Sequence, residues 1–165
     1  MATHYEGTPA ERGALDVFIK LNRATAAVNR SVHQPLRGAG LTEIQFGILD
    51  SLYFGGPLSV SGLAEKNLCT QNSISTVVDT MERNGLVQRD RSAVDRRVVT
   101  VSLTPKGEEL FATLWPDHVA RIVAAISTLS DAEQTELNRL LRKLGRAIES
   151  LPRPREAIAS ANPTK

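Results

Sequence analysis

The segment Asp95-Arg96-Arg97-Val98-Val99-Thr100-Val101-Ser102-Leu103-Thr104-Pro105-Lys106-Gly107 restricts the fold of this chain more than any other, because a charged tip, a strand and a helix start follow one another within it. Val99, Val101 and Leu103 alternate with Thr100 and Ser102, the period of a strand with one buried face. Thr104 then supplies an N-cap and Pro105 the first helical position, so the strand has to end there. Upstream, Val87-Gln88-Arg89-Asp90-Arg91 precedes a short polar loop. The two segments are predicted to pair as an antiparallel ribbon bearing Arg89, Arg91, Arg96 and Arg97, a charge pattern suited to phosphate and groove contact.

The rest of the chain is predicted to be helical. Of its 165 residues 41% are hydrophobic and 23% charged, enough for one or two small domains with a real core. Aromatic residues make up only 4%, while leucine, valine and alanine abound, which favours helix packing over a large sheet. The expected class is mainly α with a small β-hairpin. The formal net charge is only +2, yet residues 83–107 hold Arg83, Arg89, Arg91, Arg96, Arg97 and Lys106 against Asp90 and Asp95. A solvated surface would account for such an excess taken alone. No run approaches the roughly 18 apolar residues of a membrane span, and the polar N-terminus lacks the layout of a secretory signal. A cytoplasmic protein without a membrane partner is expected, and the single Cys69 makes no intramolecular disulfide.

Residues 1–12 and 152–165 are polar and carry Gly7, Pro9 and three C-terminal prolines, so flexible ends are expected around a folded region of residues 13–151. A first helix is predicted from about Ala14 to Leu36, with apolar residues at three- and four-residue steps, stopped by Gly38-Ala39-Gly40. Thr42-Glu43-Ile44-Gln45 reads as a capping box and Leu41 with Phe46 as a hydrophobic staple, opening a second helix that ends at Phe54-Gly55-Gly56-Pro57. Two short helices follow, about Val60 to Asn67 and Gln71 to Asn84, the latter capped by Thr70 and closed by Gly85. Joined by a tight turn, they suggest a helix-turn-helix. A fifth helix is predicted from Pro105 to about Ile126, interrupted by Pro116, and a sixth opens at the capping box Ser130-Asp131-Ala132-Glu133.

Within the fourth helix Ile74, Val77, Val78 and Met81 fall on one face, and Gln71, Asn72, Ser75 and Thr76 on the other. Short polar groups near a helix N-terminus can read base edges, and the unpaired N–H groups there can meet a phosphate. A plain amphipathic surface helix would look the same; next to a basic hairpin, the pattern points to double-stranded DNA.

At this point the chain resembles the MarR family (multiple antibiotic resistance regulators). The resemblance rests on Leu63-Ala64-Glu65-Lys66, on the run from Ser73 to Val87 through Met81-Glu82-Arg83-Asn84-Gly85, and on Asp95-Arg96-Arg97 leading to Leu103-Thr104-Pro105-Lys106-Gly107. It covers about residues 14–150 and implies a winged helix-turn-helix homodimer: dimerisation helices in 14–36 and 105–151, and a DNA-binding lobe in 41–104. The resemblance implies DNA contacts from Thr70, Gln71, Asn72, Ser73, Ser75 and Thr76 in the major groove. It makes Arg97 the minor-groove reader, Asp95 the partner that orients it, and Arg89, Arg91 and Arg96 phosphate contacts. An ion pair that merely stiffens the hairpin is the plainer role for Asp95 and Arg97. The implied dimer interface uses Leu15, Phe18, Leu137, Leu141, Leu144 and Ile148, on helices with long apolar stripes.

The family also implies a ligand-responsive repressor acting on a pseudo-palindromic operator. Leu52-Tyr53-Phe54-Gly55-Gly56 and Trp115-Pro116-Asp117-His118 are similar to a branch that responds to phenols and quinones. A small aromatic or phenolic effector is thus expected near Asn22, His33, Phe46, Trp115 and His118, for each of which core or interface packing is the plainer role.

Cys69 precedes the fourth helix, where a thiolate would be favoured, but the family pattern calls for an apolar residue there, so a packed, inert thiol is expected. His4, His33 and His118 lack metal-ligand spacing, and no phosphate loop or nucleophile elbow is present. Neither catalysis, metal nor cofactor is expected. A helical protein-interaction dimer of the same fold without DNA binding is the alternative.

Overall fold

The computed structural model describes residues 5–91 and 99–149. Among the described residues the elements run α1 (Pro9–Val32), α2 (Gln34–Gly38), α3 (Glu43–Gly55), β1 (Leu58–Ser59), α4 (Val60–Lys66), α5 (Gln71–Arg83), β2 (Val87–Arg91), β3 (Val99–Leu103), α6 (Pro105–Ile126) and α7 (Asp131–Glu149). The chain forms two compact units, one through Ala125 and one from Ile126.

Local chemistry accounts for most boundaries, including two that differ from expectation. The first helix begins at Pro9, not near Ala14, because Thr8 caps it, accepting from Glu11 N while Glu11 accepts from Thr8 N at 2.8 Å. Pro9 sits at the first position, where its missing N–H is not needed. Those bonds hold the Glu11 carboxyl below its ordinary range. The same helix does not run to Leu36: it stops at Val32, His33 caps it, and α2 restarts with Pro35 in its first turn. A proline there would break a continuous helix but is harmless at a new start. Pro116, by contrast, does not interrupt α6. It lies on an exposed face, where a carbonyl without its amide partner can be hydrated.

The box at Thr42 and Gln45 forms as expected, and Leu41 and Phe46 are both buried. The unforeseen β1 is two residues long and joins the hairpin, giving the sheet order β1-β3-β2 with all pairs antiparallel. Val101, which faces both Leu58 and Arg89 across the ladder, is completely buried. Around it the core collects Ile48 and Leu49 of α3, Leu63 of α4, Ile74, Val78 and Met81 of α5, Val87 of β2 and Phe111 of α6. In the second unit, Glu133 accepts from Ser130 N and Oγ, each at 2.8 Å, and opens α7.

The hairpin returns to the end of α5 through a dense set of bonds. Gly85 takes a left-handed φ of 69° and closes α5, with Gly85 N donating to Glu82 O and Leu86 N to Met81 O. Thr104 N donates to Leu86 O, Thr104 Oγ1 to Gly85 O at 2.6 Å, and Lys106 Nζ to Asn84 O at 2.8 Å. Gly107 N donates back to Thr104 Oγ1 as α6 starts. Gly107 is buried against this turn so closely that a methyl group would run into the Leu86 carbonyl oxygen. We therefore expect Gly107→Ala to destabilise the protein by about 2 kcal/mol or more. Gly13→Ala, in an open helical site, should stabilise it by about 0.5–1 kcal/mol. Thermal unfolding of the pair checks this, and equal melting temperatures would contradict it.

Candidate nucleic-acid interface

The α4 and α5 helices meet through Asn67-Leu68-Cys69-Thr70. Asn67 fixes this turn from below: its Nδ2 donates to Leu63 O at 2.8 Å and to Ser51 Oγ at 3.4 Å, and its Oδ1 lies where a Cβ of residue 47 would be. Gly47 on α3 is thus what lets the turn seat. Cys69 Sγ donates to Asn67 O at 3.2 Å and packs at the margin of the core, the setting expected of it.

Thr70 caps α5, accepting from Ser73 N, while its hydroxyl and that of Ser73 are 2.8 Å apart. Ile74, Val78 and Met81 are fully buried, so α5 cannot rotate without exposing them, and Val77 packs against the same core. The opposite face therefore points outward: Thr70, Gln71, Asn72, Ser73 and Thr76 are exposed and Ser75 is half-buried. Gln71 and Asn72 have no side-chain hydrogen bond among the described residues, which leaves both amides open to a ligand. Thr76 Oγ1 donates to Asn72 O at 3.1 Å, turning its methyl and its lone pairs outward. Open N–H groups at the start of α5 add a positive end to this surface.

Arg89 differs from what its sequence position implied. Strand alternation carries it, like Val87, to the inner side of β2, where its guanidinium reaches Asp79 Oδ1 at 2.6 Å and Glu82 Oε2 on α5. Glu82 also accepts from Arg89 N at 3.2 Å, satisfying a backbone donor on the sheet edge. The two carboxylates raise the Arg89 pKa further against the cost of burial. Its positive charge is matched by two carboxylates of the same chain, as a strut between the hairpin and the helix. Asp79 and Glu82, one turn apart on a helix followed by an Arg-bearing strand, were the signal for it. On the outer side of the hairpin Asp90 accepts from Ser102 Oγ at 2.7 Å. Asp95, Arg96 and Arg97, and the Arg91 side chain, lie outside the described residues.

The residues expected around an effector separate. Phe46, His118 and Trp115 join one aromatic cluster with Phe111: Phe46 and His118 lie 4.5 Å apart between ring centres, Phe46 and Phe111 5.3 Å, Trp115 and His118 5.7 Å. His33 stacks on the outer side of His118 at 5.8 Å. Asn22 is exposed on α1, with Nδ2 donating to Phe18 O, and stands apart from the cluster. Beside His33 opens a cleft of about 490 Å³ that Arg30, Arg37, Leu41 and Glu43 also line; the two arginines are cations that sequence reasoning did not single out.

His33 Nδ1 is 3.1 Å from Glu43 Oε1 without hydrogen-bond alignment, and His118 Nδ1 is buried without a partner among the described residues. Burial, and then the charge of His33, hold His118 below the ordinary imidazole range, partly offset by Asp50 and Asp117. Burial raises the Asp50 carboxyl above its ordinary range, opposed by His118 and Lys66.

Of the remaining predicted contacts, Leu15 and Phe18 on α1 are exposed at 36% and 63%. On α7 Leu137, Leu141, Leu144 and Ile148 are exposed at 39–57%. No group of three metal-ligating side chains occurs among the described residues, and no described helix is long and apolar enough to cross a membrane.

Arg89→Met should lower stability by about 0.5–1 kcal/mol, since it removes the fork that ties two solvent-exposed carboxylates of α5 to the strand. Arg89→Lys should recover little of that, because one ammonium cannot fork to both. Urea unfolding distinguishes these outcomes from a neutral surface pair. A second expectation concerns pH. With the His118 pKa lower in the folded protein, the unfolded chain binds its proton first, so stability falls as pH drops through about 6.5. Asp50 acts oppositely and at lower pH, protonating first in the folded state. His118→Phe should flatten the fall in melting temperature between about pH 7 and 5.5; an unchanged slope would assign it to other groups.

Comparison with known proteins bears on the same surface. The family model for the MarR family matches residues 41–99, from the start of α3 into the hairpin. The transcriptional regulator MhqR of Bacillus subtilis is 34% identical over 132 residues, 80% of this chain and 91% of that protein. Among solved structures, AbsC, a MarR family transcriptional regulator from Streptomyces coelicolor, aligns with a TM-score of 0.76 at 26% identity over 90% of this chain and all of that one. BpsR of Bordetella bronchiseptica, whose DNA binding is regulated by 6-hydroxynicotinic acid, aligns at 0.71 and 26% identity over 79% of this chain and 98% of that one.

Proposed function

This chain belongs to the MarR family of transcriptional regulators, not to any enzyme class, and from that premise we propose that it represses transcription in the cytoplasm as a homodimer on a pseudo-palindromic operator, released by a small aromatic or phenolic effector. The observation that carries the DNA-binding reading is the division of α5: three fully buried residues hold one face down while the exposed amides of Gln71 and Asn72 and the exposed hydroxyls of Thr70, Ser73 and Thr76 line the other at the helix N-terminus. A face of that kind fits the major groove, and Arg97, Arg96 and Arg91 of the hairpin then serve the minor groove and the phosphates beside it. Asp95 orients Arg97.

The dimer follows from surface chemistry. The apolar residues of α1 and those of α7 are each uncovered in a single chain, and a second copy is the partner with matching stripes. Two copies related by a two-fold axis carry two α5 helices, which serve successive major grooves when about 34–36 Å apart. For the effector, the cleft beside His33 suits an aromatic acid: Arg30 and Arg37 supply cations, and the imidazole gives a flat wall continuous with the aromatic cluster. The effect of 6-hydroxynicotinic acid on the relative BpsR agrees with that chemistry. Such a ligand acts by preferring a dimer geometry whose α5 helices no longer match the grooves.

Selection of bound fragments from genomic DNA, followed by affinity measurements at several salt concentrations, tests the proposal. Arg91→Ala should weaken all sequences alike and lower the salt slope by about one, and Asn72→Ala should relax preference within the half-site core. Arg97→Ala should weaken specific binding by about 1–3 kcal/mol and flatten preference at flanking A·T-rich positions. A chain that dimerises but shows no salt-dependent DNA binding is the interaction dimer instead.

A further inference from the structure

Three helices of the first unit end in the same backbone arrangement. After α2, Gly40 N donates to Arg37 O and Leu41 N to Leu36 O; after α5, Gly85 and Leu86 repeat the pattern. After α4, Leu68 N donates to Glu65 O and Cys69 N to Ala64 O. This motif needs a left-handed residue at its second-last position, and in the first two cases that residue is glycine, with φ of 69°. In the third it is Leu68, with φ of 52°, the one non-glycine residue with positive φ among the described residues. A Cβ in that region is a steric cost, and here the cost buries nothing, because Leu68 is 95% exposed, the most exposed of the large hydrophobic side chains among the described residues. Folding alone would favour glycine at residue 68.

The side chain is thrown outward two residues before Thr70, the cap of the helix whose polar N-terminal face is the proposed groove reader. Gln71 and Asn72, which follow it in the chain, offer amides only, so Leu68 adds a large apolar side chain beside a surface otherwise made of amides, hydroxyls and the Thr76 methyl. An apolar side chain at the border of a major-groove site has one matching feature among base edges, the C5-methyl group of thymine. We propose that Leu68 is a specificity contact that packs against a thymine methyl at the edge of each half-site. The proposal rests on the DNA-binding reading above.

The backbone strain makes the test decisive, because removing the side chain should move stability and affinity in opposite directions. Leu68→Gly should raise the melting temperature by about 2–4 °C and weaken binding to the selected operator by about three- to tenfold. Leu68→Ala, which keeps the strained Cβ, should weaken binding similarly without the gain in stability. Replacing half-site thymines one at a time by deoxyuridine deletes only the methyl; at one position this should weaken the parent by the same factor and leave Leu68→Gly unaffected. Unchanged operator affinity in Leu68→Gly, or a deoxyuridine penalty equal in parent and variant at every position, would overturn the proposal. If the parent binds no DNA, the DNA-binding reading has failed first and is identified as the failure by the parent alone.

Discussion

The backbone clasp between Asn84-Gly85-Leu86 and Thr104-Pro105-Lys106-Gly107 is the contact on which the rest of the first unit depends. It ends α5, ends β3 and starts α6 in one place, so three elements share a single set of carbonyls. A hydrogen bond to each orphaned carbonyl removes the desolvation cost that a buried helix end would otherwise carry. It also explains a spacing: threonine is needed to reach the Gly85 carbonyl and to cap α6, and glycine three residues on is needed to clear Leu86. The hairpin therefore projects from a fixed point relative to α5 instead of swinging from a loop.

Arg89 adds a second fixed point further along the same hairpin. Its bonds to Asp79 and Glu82 join strand to helix at the exposed flank of α5. The consequence is electrostatic as well as mechanical. A cation that would have served phosphate is neutralised internally, and two carboxylates that would have repelled DNA are neutralised with it. This cluster thus adds little net charge beside the start of α5, which suits a modest overall charge of +2.

The aromatic cluster and the His33–His118 stack form a different kind of link. They connect the α1–α2 break, α3 and α6 through flat, close-packed rings with few polar satisfactions. Such close packing ties the position of each ring to that of its neighbours. Uncharged His118 fits that environment, since an imidazolium there would stack against His33 and its Nδ1 would lack a hydrogen-bond acceptor among the described residues.

The caps at Thr42 and Thr70, the stop at Gly85, the alternation of Val99 to Leu103 and the amphipathic division of α5 were legible in the sequence, since each depends on bonds or periods spanning only a few residues. The box at Thr8 and the break at Pro35 were equally local and equally legible; a polar composition and a run of apolar spacing outweighed them. What tertiary structure decided is of another kind. The strand β1 exists only because β3 offers it a ladder. Gly47 is required only because Asn67 folds back onto α3, and Arg89 is a strut only because two helical carboxylates lie beneath its strand. The sign and size of a charge are written in the residue, but whether that charge meets solvent, DNA or another side chain depends on neighbours brought together by folding, and that is why the sequence by itself determined most of the helices, the hairpin and the family while the three-dimensional packing decided the strand β1 and which of the described candidate residues face outward.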